Sequence, residues 1–320
     1  MWKTILRRVL LMIPQVIILS ILIFLLAKMM PGDPFTGMID PTIGAERIEE
    51  LREQAGLNDP WPQQYVRWVK NALHGDFGKS YTYKYAVTDV IGDRIGNTIR
   101  LSLFTVILTY LLAIPLGLYA GRYQNSKFDK AVVIYNFVSF AIPTFVLALL
   151  TVYLFGYKLR IFPTSGSVSI HETKGTMGYF MSQMHHLILP AIVQALLGTA
   201  TTIQYLRSEV IDAKQMDYVR TARSKGVPTG KVFNRHIFRN ASLPIASNAG
   251  YEITGLIGGS VVIERIFNYP GIGNLFISSI TERDYSVITA LTLLFGLATL
   301  LGTLLSDIIM SIVDPRIRIQ

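Results

Sequence analysis

The sequence predicts an all-α polytopic membrane protein, with six transmembrane helices and the N- and C-termini cytoplasmic. Three observations carry that expectation. Hydrophobic residues make up 51% of the chain and charged residues 16%, and the apolar residues come in long blocks rather than at amphipathic spacing. Six of those blocks are about as long as a bilayer crossing requires. Lys and Arg crowd into alternate segments between the blocks, which orients the chain. The formal net charge of +9 would suit nucleic acid, but this distribution assigns it to membrane topology, and no nucleic-acid partner is expected. The chain has no cysteine, so neither a disulfide framework nor a Cys-based metal site can form.

The chain starts with Lys3, Arg7 and Arg8 and runs into the apolar block Val9–Met30. That block exceeds the apolar core of a secretory signal, and no small-x-small cleavage site precedes Pro31. Residues 1–30 are therefore expected to be a cytoplasmic start and a retained first span. Residues 31–96 are polar and expected outside the membrane as an extracytoplasmic cap. They open with Pro31-Gly-Asp-Pro34. Ile48, Leu51 and Ala55 recur at helical spacing in Ala45–Gly56, which predicts a short amphipathic helix. Pro60 and Pro62 interrupt the pattern, and Gln63–Leu73 predicts a second helix. Trp61, Tyr65 and Trp68 suit either an interfacial or partner-facing surface or packing within the cap.

Five further spans are expected in a core domain of residues 97–320: Ile99–Gly121, Ala131–Tyr157, Leu187–Leu206, Ala241–Ile263 and Val287–Val313. Six spans put both termini on one side. If that side is the cytoplasm, the inner segments carry Lys3, Arg7, Arg8, Arg122, Lys127, Lys130, the basic residues from Arg207 to Arg239, Arg316 and Arg318. The outer segments are near neutral, and the 31–96 segment is net acidic. Short basic loops stay inside, so both termini are placed there. Pro14, Pro115, Pro143, Pro190 and Pro244 lie in or near spans and can bend them.

Glu252 lies mid-span. A carboxylate at that depth costs about 2.5–3.5 kcal/mol on insertion scales, so it is expected to face a cavity or a partner rather than lipid. It either lines a pathway or satisfies a helix contact. Asn136, Gln194 and Asn248 read first as interhelical hydrogen-bonding groups, and Asn248 and Asn136 join Glu252 as candidate pathway-lining residues. Asp307, near the end of the last span, is either hydrated or paired. Gly255, Gly258 and Gly259 favour close helix approach.

No catalytic, cofactor-binding or metal-binding constellation emerges. Gly75-Asp-Phe-Gly-Lys-Ser80 ends like a phosphate-binding loop but lacks the first glycine at the required distance and follows no predicted strand. Gly226-Val-Pro-Thr-Gly-Lys-Val232 is one residue short, with Val in place of Ser or Thr. His185 and His186 are adjacent, and neighbours on a helix diverge by about 100°, so an interfacial role is favoured over a metal pair.

The longest polar interval of the second half, Ser208–Pro244, carries seven basic residues against Glu209, Asp212 and Asp217. Met216, Val219 and Ala222 form a narrow apolar stripe on a short helix. Asp217 at its start and Arg223 and Lys225 at its end suit the helix dipole. Gly226 is a natural stop, and Pro228 forbids continuation. In Lys231–Asn240, Phe233 and Ile237 share one face, which suits a segment lying flat on an anionic inner leaflet. The first piece is either a helix for a partner's groove or a solvated loop that fixes topology.

This loop resembles the EAA loop of binding-protein-dependent ABC importer permeases. Arg220-Thr-Ala222 occupies the EAA place, Gly226 the glycine, and Leu243-Pro244 the closing Leu-Pro. Arg-Thr-Ala for Glu-Ala-Ala, and a glycine to Leu-Pro interval about five residues longer than in sugar importers, resemble the dipeptide and oligopeptide branch. Nearly the whole chain is similar to the B-type subunit of that branch. The landmarks are Pro31-Gly-Asp-Pro34, Gly56-Leu-Asn-Asp-Pro60, Gly75 to Ser80, Val262-Ile-Glu-Arg-Ile-Phe-Asn-Tyr-Pro-Gly271, Arg283-Asp-Tyr-Ser-Val-Ile288 and Asp314-Pro-Arg316.

The resemblance implies a type I ABC importer permease fold and a multi-pass subunit of the bacterial inner (plasma) membrane, non-catalytic by itself. It implies a second permease of similar fold, two cytoplasmic ATPases that bind ATP and Mg, and an extracytoplasmic peptide-binding protein. Coupling to the ATPases would fall to Asp217, Tyr218, Arg220, Thr221, Ala222, Arg223, Lys225 and Gly226, with alternating access as the mechanism. Two rivals stay open: the same architecture importing nickel or another small solute, and a stand-alone secondary transporter.

Overall fold

Apolar blocks fold as helices because a backbone amide in a bilayer must close its hydrogen bonds within its own segment. The computed structural model describes residues 2–30, 49–50, 52–53, 56, 58–258 and 260–313. The expected helix Ala45–Gly56 lies largely outside them, and Pro31 to Pro34 and Asp314 to Arg318 wholly so.

α1 (Trp2–Met29) is the first apolar helix, and α2 (Trp61–Leu73) has Pro62 in its first turn, where a missing N–H costs nothing. Tyr65 and Trp68 of α2 pack on Phe24 of α1, with ring centroids 5.5 and 6.3 Å away. The Tyr65 hydroxyl is 2.7 Å from Ser20 Oγ. Packing thus accounts for these two aromatics, whereas Trp61 is exposed. α1 also lies along the last helix, where Arg8 pairs with Asp307 at 3.0 Å.

α3 (Val87–Arg122) packs along α6 (Met177–Gln215). Gly117 and Gly121 permit the approach. A Cβ at Gly117 would stand 2.9 Å from Leu206 Cβ, and one at Gly121 would stand 2.7 Å from Val210 Cβ. The expected straight span Ala131–Tyr157 is instead bent. α4 (Lys127–Ala141) and α5 (Thr144–Thr151), which continues as a π-helical stretch Val152–Lys158, meet at 97°. Pro143 sets the bend by holding Ile142 in extended backbone.

The polar interval folds as α7 (Asp217–Ser224), α8 (Thr229–Val232), a π-helical turn Phe233–Ile237 and α9 (Phe238–Ala241). α10 (Leu243–Gly258), α11 (Val261–Ile266), α12 (Ile272–Glu282) and α13 (Tyr285–Val313) complete the chain. The expected span Ala241–Ile263 is therefore not one helix. α10 has 16 residues and rises about 24 Å at 1.5 Å per residue. It lies along α13, where a Cβ on Gly250 would stand 2.6 Å from the Gly302 carbonyl oxygen. Close approach thus falls to Gly250, whereas a Cβ on Gly255 or Gly258 would meet nothing within 4 Å. Gly259 is outside the described residues.

Among the described residues, four helices are long and apolar enough to cross a membrane: Ile5–Met29 and those numbered α3, α6 and α13. The bent pair α4 and α5 raises that to five. The described residues otherwise hold one isolated antiparallel bridge, Lys79 to Ala86.

Candidate functional site

α7 sits at the end of the bundle where α3 and α6 finish. Its apolar stripe turns inward. Val219 and Ala222 are buried in a cluster with Val210, Ala213, Val232, Phe233, Ile237 and Ala241. Burial of Phe233 and Ile237 there removes the face that Lys231–Asn240 was expected to lay on a lipid surface. What α7 leaves outside is polar. The side chains of Asp217 and Arg220 are 95% and 76% accessible, and Thr221, Arg223, Lys225 and Gly226 are exposed. Tyr218 borders this face. Burial, then the Glu209 charge, pushes its phenol above the usual value.

The helix ends by a glycine mechanism. Gly226 has φ +75°. Its N–H donates to the Arg223 carbonyl at 2.9 Å, and that of Val227 donates to the Ala222 carbonyl at 3.2 Å. These two bonds make a Schellman motif, with Val227 packing back on the cluster that holds Ala222.

Three residues to which the sequence assigned no contact clamp this module to the bundle. Arg207 grips Asp129 in a bidentate pair at 2.5 and 2.9 Å, and Asp129 is only 2% accessible. Lys214 donates to the carbonyls of Gly121 and Arg122 at 3.1 and 3.0 Å, capping the C-terminus of α3. The Arg122 guanidinium lies 4.9 Å from the Phe233 ring centroid. Two signals were present in the sequence. Ser126 accepts from the Asp129 N–H as a helix cap, and Arg207 and Lys214 stand seven apart, on one helix face. Asp129→Ala is expected to destabilise this end by about 3 kcal/mol, because Arg207 keeps its charge without a partner. Urea or thermal unfolding of the purified subunit measures it, and a loss under about 1 kcal/mol would mean that solvent already screens the pair.

A cavity of about 300 Å³ opens between α3, α6 and α10. Glu252 and Asn248 line it, with Thr105 from α3 and Gln194 from α6. Tyr110 of α3 is a hydrogen-bond partner of the Glu252 carboxylate. Asn136 is not brought there. It is buried between α4 and α6, and its amide donates to Gln204 at 3.3 Å. His185 and His186 bond the carbonyls of Ile161 and Ser182, each at 2.8 Å. Among the described residues no group of three or more His, Asp or Glu could hold a metal ion.

Two family models cover the chain. Residues 113–319 match the binding-protein-dependent transport system inner membrane component, and residues 1–102 match the N-terminal part of such membrane components. The chain belongs to this family. The oligopeptide transport system permease protein AppB of Bacillus subtilis is 41% identical, over 98% of both chains. A chain of Brucella abortus (strain 2308), named provisionally as a peptide transport system permease protein, is 37% identical over 99% of both.

In this inner membrane component two landmark motifs meet at the end opposite α7, and a third is tied to the start of α3 and to α12. The Ser80 hydroxyl donates to Asp284, and the Thr82 N–H does so at 3.2 Å. The stretch that resembled a phosphate loop is thus a lock on the Arg283-Asp284 corner. Glu264, with no accessible surface, accepts from Thr98 Oγ1 at 2.8 Å and from the Asn274 N–H at 3.0 Å. The Gly273 N–H bonds it too. The Thr98 hydroxyl in turn accepts from the Ile272 N–H at 2.7 Å, and Asn97 donates to the Pro270 carbonyl at 2.8 Å. Glu264 thereby caps the first turn of α12. Burial pushes its carboxyl above the usual range, against the pull of Thr98 and the backbone donors. Burial likewise pushes the neighbouring Tyr269 phenol up to about 12.

Proposed function

We propose that this chain is the transmembrane permease subunit of an ATP-driven importer that takes up dipeptides or oligopeptides delivered by an extracytoplasmic binding protein. The observation that carries the reading is end-to-end similarity to chains named as oligopeptide and peptide permeases. The second permease, the two ATPases and the binding protein follow from that reading. Six spans with cytoplasmic termini fit it when α10 is taken as the fifth crossing beside α13. The basic inner segments support that orientation. In this reading the exposed face of α7 docks in a groove of an ATPase. The Asp129–Arg207 pair and the Lys214 cap then carry its motion into α3, α4 and α6. Alternating access requires a contact that differs between two states, and α7 is placed to supply it.

Gly226 gives a test that separates docking from folding. A Cβ added there meets nothing within 4 Å inside the chain. Gly226→Ala and Gly226→Tyr therefore share one backbone cost, about 1 kcal/mol for a non-glycine left-handed residue. They differ only in what they present outward. Gly226→Ala is expected to keep most uptake, and Gly226→Tyr to lose uptake and transport-stimulated ATP hydrolysis while inserting normally. Equal behaviour of the two variants in a reconstituted complex would sink the docking reading.

A further inference from the structure

The cavity between α3, α6 and α10 has a one-sided chemistry. Thr105 is 5% accessible, and its Oγ1 is without a hydrogen-bond partner. Gln194 Oε1 is likewise buried and unpartnered. Buried polar atoms are rarely left so, because an unmade bond costs their full desolvation. Both line the same space as Glu252. Glu252 is exposed on this chain and yet lies at the middle of its span, where a carboxylate facing lipid is costly. No Lys, Arg or His is among the lining residues. The cavity therefore offers a negative charge with no cation among its lining residues and an unpartnered amide oxygen, and a ligand that brings N–H donors and a positive charge answers both. Gly255 lines it with open space at its Cβ position, so the space is not consumed by packing. At about 300 Å³ it is at the small end of ligand pockets. It takes the end of an extended molecule rather than a whole one.

We propose that this cavity is a subsite for a primary ammonium group of the transported peptide, with Glu252 as its counter-ion and Thr105 and Gln194 as acceptors. Tyr110 holds the carboxylate from the side as a positioning residue. The proposal rests on the peptide-import reading and narrows it. Two sources supply a primary ammonium: the free amino terminus and a lysine side chain.

The test uses the complete transporter in proteoliposomes, with binding protein saturated by one of three probes: trialanine, N-acetyl-trialanine, or N-acetyl-Ala-Lys-Ala. Both variants use the same binding protein, so its own preference cancels in the comparison. Glu252→Gln is expected to lower the uptake ratio of trialanine to N-acetyl-trialanine by about tenfold or more, the scale of one charge-assisted hydrogen bond. Glu252→Asp retains most of the ratio. If N-acetyl-Ala-Lys-Ala falls together with trialanine, the subsite accepts either ammonium. If only trialanine falls, it reads the amino terminus; both results support the assignment. Gly255→Leu, which adds bulk to the cavity from a position whose Cβ meets nothing within 4 Å, is expected to erase the same preference. An unchanged ratio in Glu252→Gln overturns the proposal. So does loss of the second permease from the purified Glu252→Gln complex, which would make Glu252 an interface ion pair. A wild-type complex that hydrolyses ATP but moves none of the three probes refutes the import reading itself, and the subsite with it.

Discussion

Aspartate in place of Ala222 is expected to abolish ATP-driven uptake in a subunit that still inserts. Ala222 is buried beside Val219, Val232, Phe233 and Ile237. The cations that anchor this end are taken: Arg207 by Asp129, and Lys214 by the end of α3. A carboxylate at position 222 would be set among apolar side chains, and the Arg122 guanidinium would have to leave the Phe233 ring to meet it, a loss on the order of 3 kcal/mol. The damage is local, because the spans reach this cluster only near their ends, through Val210 and Ala213 of α6 and Leu118 of α3. α7 would leave its seat, and the exposed face carrying Arg220, Thr221 and Arg223 would lose its fixed position. Hydrogen exchange over residues 217–241 should rise sharply in the variant while exchange in α13 stays slow. Uptake near the wild-type rate, with protection of 217–241 intact, would remove α7 from the coupling path.

The helical class was legible because a bilayer forces every apolar block to close its own hydrogen bonds. The α7 helix was legible to within a residue because it has local punctuation: Asp217 at its start, Gly226 and Pro228 at its end. The direction of its stripe was not. Val219 and Ala222 at helical spacing fit a partner's groove as well as the chain's own, and only Phe233 and Ile237, folded back through the π-helical turn, decide between them. The same ambiguity misplaced the glycines. Gly250 and Gly255 look alike in sequence, yet one touches α13 and the other opens on a cavity. Glu252 stood out because its cost at mid-span does not depend on its neighbours. Thr105 and Gln194 did not, since their missing partners are a property of packing across three helices. Asp129, Arg207 and Asp284 pair with residues 78 to more than 200 positions away, a range that periodicity does not reach.

Removal of the Glu264 carboxyl is expected to do at the opposite end what Ala222→Asp does at α7. Glu264→Ala leaves the N–H groups of Gly273 and Asn274 and the Thr98 hydroxyl without their buried acceptor. Hydrogen bonds to a buried carboxylate contribute about 1.5–3 kcal/mol each, part of which is returned as relief of its desolvation, so the net loss is about 4 kcal/mol. Glu264→Gln decides what the carboxyl does. Oε1 accepts from Thr98 and Oε2 from the α12 backbone, so an amide must turn its NH2 toward a donor on one side. A thermal midpoint between those of Glu264→Ala and the wild type is expected in detergent-solubilised protein. A Gln variant as stable as wild type would mean that burial has already placed a proton on Glu264, with the Thr98 hydroxyl reversed to receive it. In that case the cap on α12 works through neutral hydrogen bonds, and the anchoring of this end would be insensitive to salt.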